Sequence, residues 1–312
     1  MNWYYQTVHH DIWDDDIPQT AVLFDRAVDG KVQLGIAQAT KMGYVFLLDR
    51  TNGKPLVPTP EVKQPQDPEV PGLSPTQPIP AGDPFAEDCA TFQEWLAAGG
   101  DALAPDGKPF RFGCNFTPLR SDVYTVPGWH DDADWPPSSY NPSTHLLYVC
   151  STNNRGDGYK AVPLAQANLK PGGNYTANVS KVAGDWIYQK WGVVSAVDIV
   201  NNGIHWQRVL PDGNGCYSGS TTTGGGLVFV GQTRANLLAL NAANGQTLWQ
   251  SPLLDADVGA PPFTYAVDGQ QFVALLAGGS GLSGKSVRGD SVYAFALPDW
   301  QQYGGVGEGS RR

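Results

Sequence analysis

Positive charge is scarce in this 312-residue chain: 20 Lys and Arg stand against 30 Asp and Glu, a formal net charge of −10. That balance argues against nucleic acid or an anionic membrane surface as a partner. Long hydrophobic runs are missing too. No stretch reaches the roughly 18 apolar residues that span a bilayer, and the longest, Gln271 to Gly278, is of strand length. No basic segment followed by an apolar one marks a secretory signal. Cysteine is confined to Cys89, Cys114, Cys150 and Cys216. None forms a C-x-x-C pair or the pattern that attaches a c-type haem, and their wide spacing does not suit a zinc site. Charged residues as a whole make up only 16%, well below the globular average.

What the chain has instead is turn formers and aromatics. Its 37 Gly, 25 Pro, 10 Trp and 13 Tyr, with so little charge, describe a β-rich protein of many short strands. Three segments share one pattern: Leu47-Leu-Asp49-Arg-Thr-Asn-Gly53, Ala196-Val-Asp198-Ile-Val-Asn-Asn202 and Ala239-Leu-Asn241-Ala-Ala-Asn-Gly245. Each follows an apolar strand, and its turn reverses the chain into another. Trp206 and Trp249 stand at one fixed remove after the last two turns; Val57 holds that place after the first. The last two copies are about 43 residues apart, the length of one four-stranded propeller blade. A worn copy, Ser291 to Ala296, closes the series without its turn. The expected architecture is all-β, a partial propeller of about four four-stranded blades. Asn2 to Val8 reads as a further interior strand.

Residues 54–140 break this rhythm. Prolines recur from Pro55 to Pro84, and Ala90 to Ala97 has the pattern of one short amphipathic helix. A long insert of this kind commonly caps a cleft or meets a partner, or is plain surface decoration. Cys89 and Cys114 bracket an irregular part of it. A disulfide there would suit an oxidising compartment, and two buried free thiols are the alternative. The chain thus divides into a first blade segment (1–53), the Pro-rich insert (54–140), further blades (141–300) and a tail (301–312).

Chemistry concentrates in Val8-His9-His10-Asp11-Ile12-Trp13-Asp14-Asp15-Asp16-Ile17. Four carboxylates so close repel one another, which raises the pKa of at least one. Such a cluster is either a solvated acidic loop or a general base beside a metal ion or redox cofactor. Taken singly, Lys41 is by default a surface lysine, and Trp135 and Tyr217 are blade-packing aromatics. His9 and His10 read as structural.

Together these residues resemble the quinoprotein dehydrogenases, which use pyrroloquinoline quinone (PQQ). Trp3-Tyr-Tyr-Gln-Thr-Val-His-His-Asp-Ile-Trp-Asp14-Asp-Asp16-Ile-Pro18 is similar to that family's catalytic segment, most of all in the glucose dehydrogenase type. Ala39-Thr-Lys41-Met-Gly43 matches the place of its quinone-binding lysine or arginine. Asp134-Trp-Pro-Pro-Ser-Ser-Tyr-Asn-Pro142 resembles a stretch whose first residue, an Asn in the family, touches the cofactor. Tyr217 takes the place where alcohol-oxidising members set a tryptophan against one face of PQQ.

The resemblance implies a PQQ-dependent dehydrogenase that oxidises an alcohol or sugar hydroxyl. Asp14 is then the general base, and Lys41 supplies positive charge at the quinone oxygens. Asp134, Trp135 and Tyr217 line the cofactor. Asp14 and Asp16 face a divalent calcium, Asp16 being the position where lanthanide-using members add a carboxylate. Asp11 and Asp15 receive no role. The implied partners are the substrate and an electron acceptor such as a cytochrome c or a quinone, in the periplasm or at the cell-envelope exterior. Relative to the family the N-terminal blades are missing, so the chain is expected to be a C-terminal part that does not turn over alone. Two rival readings are a non-catalytic propeller scaffold, which needs neither Asp14 nor Lys41, and a hydrolase pairing Asp14 with Asp16, which needs no lysine.

Overall fold

The two Asp-Gly pairs at 29–30 and 268–269 set the tone of the architecture. All four residues adopt positive φ, the geometry of the tight hairpin turn whose twist matches that of the flanking strands. A computed structural model describes residues 1–70, 72–100, 111–118, 123–128, 132–155, 157–158, 170–172, 189–211, 215–233, 236–279 and 287–297. In chain order its first strands are β1 (Val22–Val28), β2 (Lys31–Ala39) and β3 (Val45–Asp49), then β4 (Glu61–Lys63) and β5 (Thr76–Pro78). Helix α1 (Cys89–Ala97) is followed by β6 (Arg111–Cys114) and β7 (Val123–Val126). Next come β8 (Ser139–Asn141), β9 (Leu146–Arg155), β10 (Asp157–Gly158), β11 (Gln189–Asp198) and β12 (Gly203–Val209). The series ends with β13 (Ser220–Thr222), β14 (Leu227–Gly231), β15 (Leu237–Asn241), β16 (Thr247–Gln250), β17 (Phe263–Val267), β18 (Gln270–Ala277) and β19 (Ser291–Ala296).

Four antiparallel sheets form successive blades: β1-β2-β3, β12-β11-β9-β8, β13-β14-β15-β16 and β17-β18-β19. Apolar cores lie between neighbours. Phe24, Val45 and Leu47 meet Leu147, Val149 and Val197 between the first two blades. Tyr148 and Val194 meet Val230 and Leu240 between the next two, and Phe229 and Ala239 meet Val273 and Leu275 between the last two. Among the described residues the fold is mostly β, with four blades of a propeller that is not closed.

Two of the blades have three strands among the described residues, where four were expected. In the first, the place of the outer strand holds a single bridge from Leu48 to Pro55. A proline has no N–H to extend the ladder. In the last, β19 is followed by no turn signal, and the tail 301–312 lies outside the described residues.

The repeat has a packing logic. Gly53, Asn202 and Gly245 share a left-handed turn position. A side chain on Gly53 would strike Trp3, and one on Gly245 would strike Trp206. The indole N–H of Trp206 donates to Ala242 O at 2.9 Å, and that of Trp3 to Arg50 O at 3.0 Å. Each tryptophan therefore seals a neighbouring turn. At the third turn the insert does this work: Gly82 lies against Asn202, Asp83 N–H donates to Asn202 O (3.0 Å), and Asp83 Oδ2 accepts from Ile204 N–H (2.9 Å).

Asn2 to Val8 is not a strand. Its backbone is irregular, because its aromatic side chains pack sideways: Trp3 on Gly53, Tyr5 on Phe46 at 5.8 Å. The helix appears as anticipated, one residue longer, capped by Asp88, whose carboxylate accepts from Thr91 N–H. Cys89 is bonded to Cys114 and Cys150 to Cys216, leaving no free cysteine. No helix among the described residues is long and apolar enough to cross a membrane.

Candidate functional site

The acidic loop has no regular structure, and side chains shape it. Asp11 Oδ1 accepts from Trp13 N–H (2.9 Å) and Asp15 N–H (3.2 Å). Trp13 is buried, edge-on to Phe116 at 5.3 Å, and its indole N–H donates to Thr117 O at 2.8 Å. Asp14, between the two bonded amides, has φ 69, a left-handed conformation that is costly for a residue other than glycine. Odd and even positions then part ways. Asp14 and Asp16 hold their side chains 53% and 56% exposed, whereas Asp15 is buried and lines a small cavity with Asn115, Phe116 and Thr125. Burial, and after it the Asp11 charge, push the Asp15 carboxyl up to about 8; Lys41 opposes and Asp14 and Asp16 add to the rise. The repulsion anticipated for the cluster falls on the residue that had no role.

Lys41 stands at the turn that follows β2, where Thr40 N–H donates to Tyr44 O and Gly43 takes φ 81. Its side chain is 6% exposed, and the ammonium sits among three carboxylates. It lies 2.5 Å from Asp16 Oδ1, 3.2 Å from Asp14 Oδ2 and 4.0 Å from Asp134 Oδ1, and donates also to Asp14 O at 2.9 Å. Burial works to lower the lysine pKa. The Asp16 hydrogen bond and the Asp134, Asp14 and Asp16 charges outweigh it and hold the ammonium above its usual range. A nearly buried cation with half-exposed carboxylates is the electrostatic centre of this face.

Asp134 links that centre to the aromatics. The 134–138 segment is held by Gln19, whose amide donates to Pro136 O (2.5 Å) and accepts from Ser138 Oγ (2.8 Å). Ser220 N–H donates to Pro137 O (3.0 Å), and a side chain on Gly219 would collide with Pro137. Trp135 and Tyr217 stack with ring centroids 5.5 Å apart and planes 5° from parallel. Tyr217 is buried beside the Cys150–Cys216 disulfide, with Lys190 Nζ 4.8 Å from its ring centroid. Of the two rings, Trp135 is the more exposed.

The six sequence-derived residues form two groups, one around Lys41 and one made by the stacked rings. Asp14, Asp16, Lys41 and Asp134 converge directly; Trp135 follows Asp134 in the chain and stacks on Tyr217. Asp11, Asp15 and Lys190 were missed. The Asp11 side chain two and four residues ahead of the amides it caps is a local signal that was there to be read; the burial of Asp15 and the approach of Lys190 depend on distant segments. For a cation, the half-exposed Asp14 and Asp16 supply hard oxygen donors. Among the described residues no group of three or more His, Cys, Asp or Glu is placed to hold a metal ion; Asp14 and Asp16 would supply only part of a calcium shell, which takes six to eight oxygens. For a planar anionic quinone, a buried ammonium beside a stacked aromatic pair is a fitting donor set.

A mainly antiparallel propeller bearing a carboxylate–lysine centre beside stacked aromatics defines the class, and sequence comparison places the chain within it. Residues 1–273 match the family described as PQQ glucose/ethanol/alcohol dehydrogenase, beta-propeller domain, and the chain belongs to that family. It is 29% identical over 356 residues to the glycerol dehydrogenase large subunit of Gluconobacter thailandicus, an alignment covering 95% of this chain and 47% of that protein. It is 30% identical over 342 residues to quinoprotein glucose dehydrogenase A of Acinetobacter calcoaceticus, covering 95% and 42%. The structure of quinohemoprotein alcohol dehydrogenase from Comamonas testosteroni superposes with a TM-score of 0.64 at 28% identity, covering 94% of this chain and 40% of that one. The chain spans less than half the length of these relatives.

Proposed function

We propose that this chain carries the proton-accepting side of a PQQ-dependent dehydrogenase that oxidises an alcohol or sugar hydroxyl. The observation that carries the reading is the Lys41 ammonium, nearly buried and shared among Asp14, Asp16 and Asp134. Asp14 takes the hydroxyl proton as general base: its carboxylate is half exposed and can meet a substrate, while Lys41 holds both its carbonyl and its side chain. When bound, PQQ supplies the quinone that accepts the hydride. Lys41 places positive charge where negative charge would grow on an oxygen. Trp135, backed by Tyr217, offers a flat surface, and Asp134 orients the ammonium.

Asp14 and Asp16 would hold a divalent cation, calcium or in its place a lanthanide, with the remaining donors from outside the described residues. Further blades would complete the propeller. The outer face of the last blade supports this, since Phe263, Tyr265, Leu276 and Val292 are exposed there. All four cysteines being paired supports an oxidising location such as the periplasm. An electron acceptor, a cytochrome c or a quinone, completes the cycle.

The test is dye-linked alcohol and sugar oxidation with PQQ and calcium, by the chain alone and combined with a polypeptide carrying the N-terminal blades of a relative. Turnover is expected only in the combination and should fall at least about 10³-fold in Asp14→Asn. Robust turnover by the chain alone would overturn the incomplete-propeller reading. Undiminished turnover in Asp14→Asn would overturn the assignment of the base.

A further inference from the structure

We propose that Asp11 is a positioning residue: its single carboxylate oxygen bridges the amides on either side of Asp14 and keeps Asp14 in the left-handed turn that aims it at Lys41. The claim about function rests on Asp14 being the base; the claim about geometry does not.

The loop is anchored at both ends by other groups. Gln77, fully buried, accepts from His9 N–H at 2.7 Å and donates to His9 O at 2.8 Å. Trp13 is fixed through its ring. The backbone turns left-handed twice, at His10 (φ 48) just after the first anchor and at Asp14 (φ 69) just after the second. Such a conformation persists in a residue with a side chain only where its surroundings impose it. Lys41 grips Asp14 from outside the loop through its carbonyl. From inside, the bonds that span the turn are those from Trp13 and Asp15 N–H to Asp11 Oδ1. Asp11 is itself exposed, but both bonds are part-buried and the residues that donate, Trp13 and Asp15, are 4% and 6% exposed. Without that acceptor two part-buried amides would lose their partner, and the backbone would move to satisfy them.

Geometry alone is needed from Asp11, and this distinguishes the variants. Asp11→Asn keeps an oxygen at the same reach and loses the charge. Asp11→Glu keeps the charge but sets the oxygen one methylene further out. Asp11→Ala removes the acceptor. Crystal structures of the full chain carrying each change read the φ of residue 14 and the Lys41–Asp14 contacts directly. The expected result is a left-handed Asp14 with both Lys41 contacts in Asp11→Asn, and loss of both features in Asp11→Ala and Asp11→Glu; if the alanine variant does not fold, the glutamate variant carries the test. In the completed enzyme, kcat should fall about 100-fold in the alanine and glutamate variants and stay within about threefold in Asp11→Asn. A left-handed Asp14 in Asp11→Ala or Asp11→Glu, or an Asn variant that behaves like Ala, would overturn the proposal. If the geometry responds as expected while Asp14→Asn leaves turnover intact, the clamp stands and the base assignment fails.

Discussion

At the residue scale, four neighbouring aspartates do three different things because the loop sends them in different directions. Asp11 caps amides, Asp14 and Asp16 hold Lys41, and Asp15 is buried. Asp15 has a consequence for stability. An unfolded aspartate titrates near 3.8, and the folded one is pushed up to about 8. Between those values the folded state holds a proton that the unfolded state has released. Stability therefore falls as pH rises from about 4 toward 8. In metal-free buffer the melting temperature is expected to drop between pH 5 and pH 8.5, and Asp15→Asn, neutral throughout, should lose less over the same interval; an equal slope in both proteins would refute this. The spacing of Asp14 and Lys41 was visible in the sequence through likeness to known enzymes. The burial of Asp15 was not, since it needs Phe116 and Thr125, brought in from the insert.

At the element scale, the repeat was legible because its three full copies carry their own turns and two of them a following tryptophan, of which Trp206 seals a neighbouring turn. The role of Asn202 was less so. It occupies a left-handed turn (φ 60) where the other copies have glycine, yet its amide donates to Val45 O and Ala81 O. Asn202→Gly should accordingly destabilise by about 1–2 kcal/mol in urea unfolding, despite relieving the backbone. Trp206→Ala, which unseals the Ala242–Gly245 turn and opens space beside Tyr148 (5.9 Å between rings), should cost about 3 kcal/mol. Asn2 to Val8 looked like a strand because its residue types favour one. It is not one because Trp3 and Tyr5 find better partners beside the sheet than within it. The Cys150–Cys216 bond, between β9 and the segment before β13, 66 residues apart, left no local signal at all.

At the scale of the whole molecule, the described blades do not close into a ring. Register pairs Phe263 with Ala274 and Ala294, Tyr265 with Phe272 and Ala296, and Leu276 with Val292, so these residues share the face of the last blade turned away from its neighbour. An apolar sheet face of this kind favours association. The isolated chain should self-associate with rising concentration in analytical ultracentrifugation, and Leu276→Lys should shift it toward monomer; a strictly monomeric parent would count against this. The acidic balance of the chain would favour a basic electron acceptor, with association weakening as salt rises. The central claim, that Lys41 and the Trp135–Tyr217 pair form part of a PQQ site served by Asp14, is tested most directly by titrating the chain with PQQ in calcium buffer and following the quinone absorbance. The account predicts a saturable spectral change that is lost or weakened at least about tenfold in Lys41→Ala. An identical titration in the parent and in Lys41→Ala would contradict it.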